Sequence, residues 1–284
     1  MTDPVSVVLG LPGLLTACVD CFNYVQLARN FGSDYARCLL ELDAIKMRLS
    51  RWGAAVGISK SHLPDIPDLS QEDGQMARNL LELILDTFAK AETSAARFVK
   101  ASPGKDSTSA SLALGDPSTD LGLQYQTLHL TIKDLVEKRQ KSTNVLKKAK
   151  WALYQKSKFD SMIAELRSLV NELTELFPAG SAKTVVADRE RVLCKDELEV
   201  VTDIMSLALL KDAAGDADQV LQETAGDILR ARGFGHLVEN FTLQDSAKLY
   251  IGDENAAGRE SMSHLVRNFT NAGSGELNIG NRNF

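Results

Sequence analysis

Apolar residues recur at helical spacing along most of the chain, and that spacing changes only near its end. Residues 5–27 form an uncharged stretch apart from Asp20, and predict a first apolar helix interrupted by Gly10 and Pro12. Ser33 stands where a cap would open a second helix, "DYARCLLELDAIKMRLSRWGAAV", with Leu39, Leu40, Leu42, Ile45 and Leu49 at 3.6-residue spacing. "SHLPDIPDLS" carries two prolines and reads as a loop. Ser70 and Asp73 suit a capping box for a third helix running to about Lys100, striped by Leu80, Leu81, Leu83, Ile84 and Phe88. Residues 101–120 are rich in Ser, Gly and Pro and predict a loop. Helices are expected again from Leu123, through "YQTLHLTIKDLVEKR" and "NVLKKAKWALYQK". The stretch 159–177 has an apolar stripe at Met162, Ile163, Leu166, Leu169, Val170, Leu173 and Leu176, which Pro178 and Gly180 stop. A last helical region is expected over 187–231, broken near Gly215.

From Gly233 the pattern changes. The chain becomes rich in Gly and Asn, and the apolar spacing drops to two at Ala247, Leu249 and Ile251, a strand signal. The boundary therefore falls near 232, dividing a helical unit 1–232 from a tail 233–284. Within the tail, "HLVENFTLQDSAKLYIGDEN" (236–255) returns as "HLVRNFTNAGSGELNIGNRN" (264–283), with eleven of twenty positions identical at an offset of 28. A twenty-residue unit is too short to bury its own apolar face, so the two copies should stack.

The differences between the copies support stacking in register. Glu239 aligns with Arg267, Lys248 with Glu276, and Glu254 with Arg282, opposite in sign each time. Charges lying over one another across a strand spacing attract when opposite and repel when alike. Leu249 and Ile251 would lie over Leu277 and Ile279, and Phe241 over Phe269, as a stacked apolar core. Asn240 over Asn268, and Asn255 over Asn283, suit amide ladders. Gly252 and Gly280 suit corners. The two-rung β-solenoid so formed has an open edge above and below. Those edges invite another copy, which makes templated amyloid the expected assembly.

Composition narrows the function. A net charge of −6 argues against a nucleic-acid partner. The cysteines, Cys18, Cys21, Cys38 and Cys194, are too scattered for a disulfide scaffold and suit a reduced, cytosolic setting. The C-x-x-C at Cys18 and Cys21 lies inside an apolar helix without the surroundings of a redox motif. His236 and His264 recur in the repeat and would stack, whereas His62 and His129 have no partner pattern. "KDLVEKRQKSTNVLKKAK", 133–150, carries seven positive residues and suits a solvated helix face or an anionic membrane surface. Catalytic and nucleotide-binding signatures are absent, so neither an enzyme nor a cofactor or metal site is expected. The apolar run 4–19 is shorter than the roughly 20 residues of a membrane span, and extending it to Ala28 admits Asp20.

The chain resembles the fungal heterokaryon-incompatibility prion proteins that carry a HeLo domain. The resemblance lies in "CVDCFNYVQLARNFGSDYARC" (18–38), "RLSRWGAAV" (48–56), "WALY" (151–154), "LKDAAG" (210–215) and the paired terminal repeats, whose wording and spacing depart from the best-known members. It implies an all-α HeLo-type bundle followed by a tail that is disordered in the soluble protein and templated into a two-rung β-solenoid. The template would be the family's own fibrils or a NOD-like receptor bearing a similar motif. It also implies a dimer of the helical unit. On activation the N-terminal segment, here Val5, Val7, Val8, Leu9, Leu11, Leu14, Leu15 and Val19, would leave the bundle and enter the membrane. The protein would then be cytoplasmic when soluble and at the cell membrane when active. The function so implied is an amyloid-triggered, membrane-disrupting effector of cell death in non-self recognition. The alternatives are a non-toxic prion that regulates a toxic partner, and a helical adaptor whose tail adds a strand to a partner.

Overall fold

The computed structural model describes residues 4–28, 31, 34–58, 71–100, 121–140, 151–153, 155–176, 181–239, 242–251, 254–255, 263–267, 269–279 and 282–283. It is a helical bundle followed by short parallel strand pairs. Helix α1 is Pro4–Tyr24, α2 Tyr35–Ala55, α3 Gln71–Lys100, α4 Leu123–Gln140, α5 Lys156–Glu175, α6 Ser181–Glu199, α7 Ile204–Ala214 and α8 Gln219–Ala231. Helix α2 lies at the centre and packs on α1, α4, α5, α6 and α7, while α1 lies against α3 and α2. Sixteen positions of α2 are buried, among them Asp43, Lys46 and Arg51, so the central helix takes charged groups into the core.

The apolar stripes face where their spacing points. Phe159, Met162, Ile163, Leu166, Leu169, Val170 and Leu173 of α5 are all buried, and Leu176 packs at the edge of the core. Leu80, Leu81, Ile84 and Phe88 of α3 are buried, but Leu83 is exposed. Ser33, Ser70, the segments 61–70 and 101–120 that read as loops, residues 144–150 that read as helix, and Pro178 and Gly180 lie outside the described residues.

Three expectations need correction. The first helix ends at Tyr24, and Val25–Leu27 is a strand, β1, paired in parallel with Trp151–Leu153, β2. "WALY" is therefore strand rather than helix over residues 151–153. The helix also runs unbroken through Pro12, where Thr16 Oγ1 donates to the Pro12 carbonyl at 2.9 Å. Its ring costs one backbone bond near the first turns, and the neighbouring Leu11 and Leu15 are fully buried. Finally, the region 187–231 is three helices, not one interrupted at a single point. Asp203 caps α7 by accepting from Ser206 N at 2.8 Å, and Asp218 caps α8 by accepting from Leu221 N at 3.1 Å. Between α7 and α8 lies a single 3-10 turn, Gly215–Ala217.

Candidate functional site

The tail builds two rungs. The first consists of β3 Phe234–Glu239, β4 Thr242–Leu243, β5 Lys248–Ile251 and β6 Glu254–Asn255. The second consists of β7 Ser263–Arg267, β8 Thr270–Asn271, β9 Glu276–Ile279 and β10 Arg282–Asn283. Each strand pairs in parallel with its counterpart, so β3 lies on β7, β4 on β8, β5 on β9 and β6 on β10.

The register places Glu239 opposite Arg267, Lys248 opposite Glu276, and Glu254 opposite Arg282. Lys248 Nζ reaches Glu276 Oε2 at 3.1 Å, with both side chains largely in water. Asn255 lies opposite Asn283, and Leu249 and Ile251 lie opposite Leu277 and Ile279. Asn240, Asn268 and Phe241, with Gly252 and Gly280, fall outside the described residues, while Phe269 is partly exposed. His236 and His264 fall within β3 and β7.

The turns dock tightly. Ala272 N donates to Leu243 O at 2.8 Å and Glu276 N to Ala247 O at 2.9 Å. Asp245 sits at φ 53° in the first-rung turn, and a Cβ on Gly273 would come within 2.4 Å of the Asp245 carbonyl oxygen. Only glycine lets the second turn approach so closely. The rungs are not equivalent. Ile251 is 5% exposed and Ile279 is 50% exposed, so the first-rung isoleucine is covered and its second-rung counterpart leaves an apolar side chain open to water.

The first rung is anchored to the bundle. Gly233 turns the chain at φ 73°, and Phe234, 6% exposed, packs into the helical core. Arg232 Nη1 donates to Val201 O at 3.0 Å and Thr202 O at 3.2 Å, closing the end of α8 onto the α6–α7 connection. The pairing slips between Phe234 and Leu237, because Phe234 faces Ser263 while later pairs keep the offset of 28.

At the other end of the chain, Leu11, Leu15 and Val19 of α1 are buried and Leu14 is partly so. Val5, Val7, Val8 and Leu9 belong to the same helix, and their side chains lie outside the described residues. Cys18 Sγ donates to Leu81 O at 3.2 Å, and burial pushes its thiol well above the usual range, which argues for a buried small group rather than a reactive one. Lys46 Nζ donates to Asn23 Oδ1 at 2.7 Å. Burial raises the Asp20 carboxyl above the usual carboxylate range, Lys46 counters this and Glu137 adds to it. No helix among the described residues is long and apolar enough to cross a membrane.

The sequence did not reveal a buried ionic joint at the centre of the bundle. Arg51 of α2 pairs with Asp218, and its Nε lies 3.6 Å from Glu197 Oε2. Glu197 Oε1 accepts from Arg139 Nη2 of α4 at 2.5 Å. Arg48, one turn before Arg51, donates to Asn171, to the Ala217 carbonyl and, at 3.0 Å, to Thr174 Oγ1. His129, read as having no partner pattern, places Nδ1 2.7 Å from Asp43 Oδ2. An Asp followed by the start of a helix was the one readable signal, since Asp218 is a capping residue.

Burial raises the Glu190 carboxyl to about 6; Arg51 and Arg48 lower it, and Asp218 and Glu197 raise it. A folded pKa above the unfolded value near 4.5 means the folded chain holds this proton more tightly. That stabilisation is complete below about pH 4.5 and is lost as pH rises through about 6, and it amounts to at most about 2 kcal/mol. The melting temperature should therefore rise between pH 7.5 and 5, and Glu190→Gln should flatten that rise. A slope unchanged in the Gln variant would assign it to other groups.

The model of the HeLo family, described as prion-inhibition and propagation, matches residues 5–210. Heterokaryon incompatibility protein S of Podospora anserina is 33% identical over 256 residues, which cover 89% of this chain and 84% of that protein. Heterokaryon incompatibility protein s of the same fungus matches with the same identity and coverage. Among solved structures, the HET-S N-terminal domain superposes with a TM-score of 0.66 at 34% identity, over 81% of this chain and 100% of that one. A mutant HET-s N-terminal domain superposes with a TM-score of 0.65, over 78% of this chain and 98% of that one.

Proposed function

The chain belongs to the HeLo family of prion-inhibition and propagation proteins, and from that premise we propose that it is an amyloid-triggered effector of cell death in fungal non-self recognition. Residues 233–284 are the prion-forming unit and 1–232 the effector. A template, either another copy of the tail or a NOD-like receptor with a similar motif, stacks on the open rung and continues the alternation of charge. The tail then strains its anchor at Phe234 and Arg232, the bundle loosens, and α1 leaves for the cell membrane. Before that the protein is cytoplasmic.

The observation that carries this reading is one register running through two repeats whose first rung is fastened into the helical core. A matching pair of charges supports it further, and can be tested directly. Lys248→Glu places like charges opposite Glu276 and should lengthen the lag of fibril formation several-fold. Adding Glu276→Lys should restore it. A double variant no faster than the single would reject the register as that of the fibril. The effect of one exposed pair is small, about 0.2–1 kcal/mol, but it recurs at every rung interface.

The functional test is dye leakage from anionic liposomes with the full chain, with and without preformed fibrils of residues 233–284. Leakage that needs fibrils supports the effector. Recruitment onto fibrils without leakage would overturn it in favour of a prion that regulates a toxic partner. One observation favours that second reading: Asp20 places a carboxyl group within α1.

A further inference from the structure

We propose that the buried pair of Arg51 and Asp218 is the coupler that makes opening of α8, the helix leading into the tail, open α1 as well. This deepens the effector reading and rests on it for the trigger, while the coupling itself belongs to the soluble protein.

The geometry supplies each link. Asp218 uses one carboxylate oxygen to cap α8, accepting from Leu221 N at 3.1 Å, and the other to bind Arg51. Capping α8 and neutralising α2 are therefore done by a single group, so unravelling the first turn of α8 removes the charge partner of Arg51. Arg48 holds the neighbouring Ala217 carbonyl, so two arginines one turn apart on α2 grip the start of α8. Arg51 is 1% exposed. A buried charge without its partner is among the most costly groups a core can hold. A lysine or a carboxyl could escape by changing protonation, but a guanidinium cannot lose its proton in a protein. Glu197 offsets the loss only in part: its Oε1 already accepts from Arg139 while its Oε2 lies 3.6 Å from Arg51 Nε, so one carboxylate would have to answer two arginines. Arg51 must therefore move toward water, and α2 moves with it.

The movement reaches α1 within two residues. Gly53 follows Arg51 and lies so close to α1 that a Cβ built on it would fall 2.1 Å from Leu15 Cδ2. Leu15 is wholly buried and cannot follow a shift of α2 without losing its packing. The path from the tail is thus Phe234, α8, Asp218, Arg51, Gly53 and Leu15. Its middle step is electrostatic, the loss of a buried charge's partner.

The test is hydrogen exchange on the full-length soluble protein, with neither fibrils nor membranes present. Leu229→Ala loosens α8 at its far end, away from the joint. In an otherwise native chain, exchange in α8 and in α1 residues 11–24 should accelerate together, by about tenfold each. Arg51→Met with Asp218→Asn removes both charges and keeps an Asn cap. In that background Leu229→Ala should still accelerate α8 and leave α1 unmoved. If α1 follows α8 equally in the charge-free background, or ignores it in the native one, the proposal is overturned. So is an equal acceleration in α5, which would report global loss of stability. Should the double variant fail to fold, Asp218→Asn alone decides: it leaves Arg51 charged, so α1 should exchange about tenfold faster, and unchanged exchange rejects the coupler. A failed liposome experiment would count against the effector reading and leave this result standing.

Discussion

Ile251→Pro is expected to abolish fibril assembly while leaving the circular dichroism of the helices unchanged. Ile251 is buried in the last position of β5, opposite Ile279. Proline removes a ladder donor and fixes φ, so it is tolerated in sheets only at edges and bulges. It also discards a buried branched side chain, a loss of roughly 2–5 kcal/mol in a packed site. A pair of four-residue parallel strands has little stability to lose. The helices should be spared because the tail enters the bundle at Phe234, seventeen residues earlier (251 − 234), on a different strand. Amyloid-dye fluorescence and sedimentation read assembly, and ellipticity at the helical minimum reads the bundle. Fibrils forming at the native rate would remove β5 from the core. Loss of helix would mean that the two units fold as one.

The repeat was legible because each rung carries its own partner's pattern. Register follows from a fixed offset and from opposite charges at three positions, which is information local to fifty residues. The sequence could not reveal that the copies end up in different surroundings. Ile251 and Ile279 are the same residue in aligned positions, and only their place in the stack leaves one covered and the other half in water. Nor could it foresee that Phe234, which precedes the repeat, leaves the solenoid's register to enter the helical core.

The helices were legible for a similar reason. The α5 stripe repeats its period over seven positions and nearly all of them are buried. The misses came where distance along the chain matters. Strand β1 is three residues long and pairs with residues 151–153, so no alternation could announce either strand. Arg48 and Arg51 look like the solvated face of α2, because charged positions on a helix usually are. Arg51 is buried and Arg48 half-buried because α2 is surrounded by other helices, and their partners at 171, 197 and 218 come from three separate elements. Periodicity describes one helix at a time and carries no word of what closes its polar side.

That packing of α2 against α1 makes Gly53→Ala the other large effect to expect. The added Cβ would fall 2.1 Å from Leu15 Cδ2 and 3.3 Å from Leu15 Cγ, and Leu15 has no free space in which to turn. Overpacking of this kind costs about 1–3 kcal/mol, or roughly 2–10 °C in melting temperature for a unit of this size. Because the strain falls on α1, the fibril dose needed for liposome leakage should fall at the same time. Leu15→Ala alone leaves a cavity and costs about 2–5 kcal/mol. Together the two changes relieve one another, since the methyl group introduced in place of the Gly53 hydrogen enters the space that Leu15 vacates. The double variant should be more stable than the sum of the singles by about 1–2 kcal/mol. Additive losses would mean that the two helices do not meet at these residues. A lower melting temperature with an unchanged leakage threshold would mean that they meet, but that α1 is not the part of the protein that reaches the membrane.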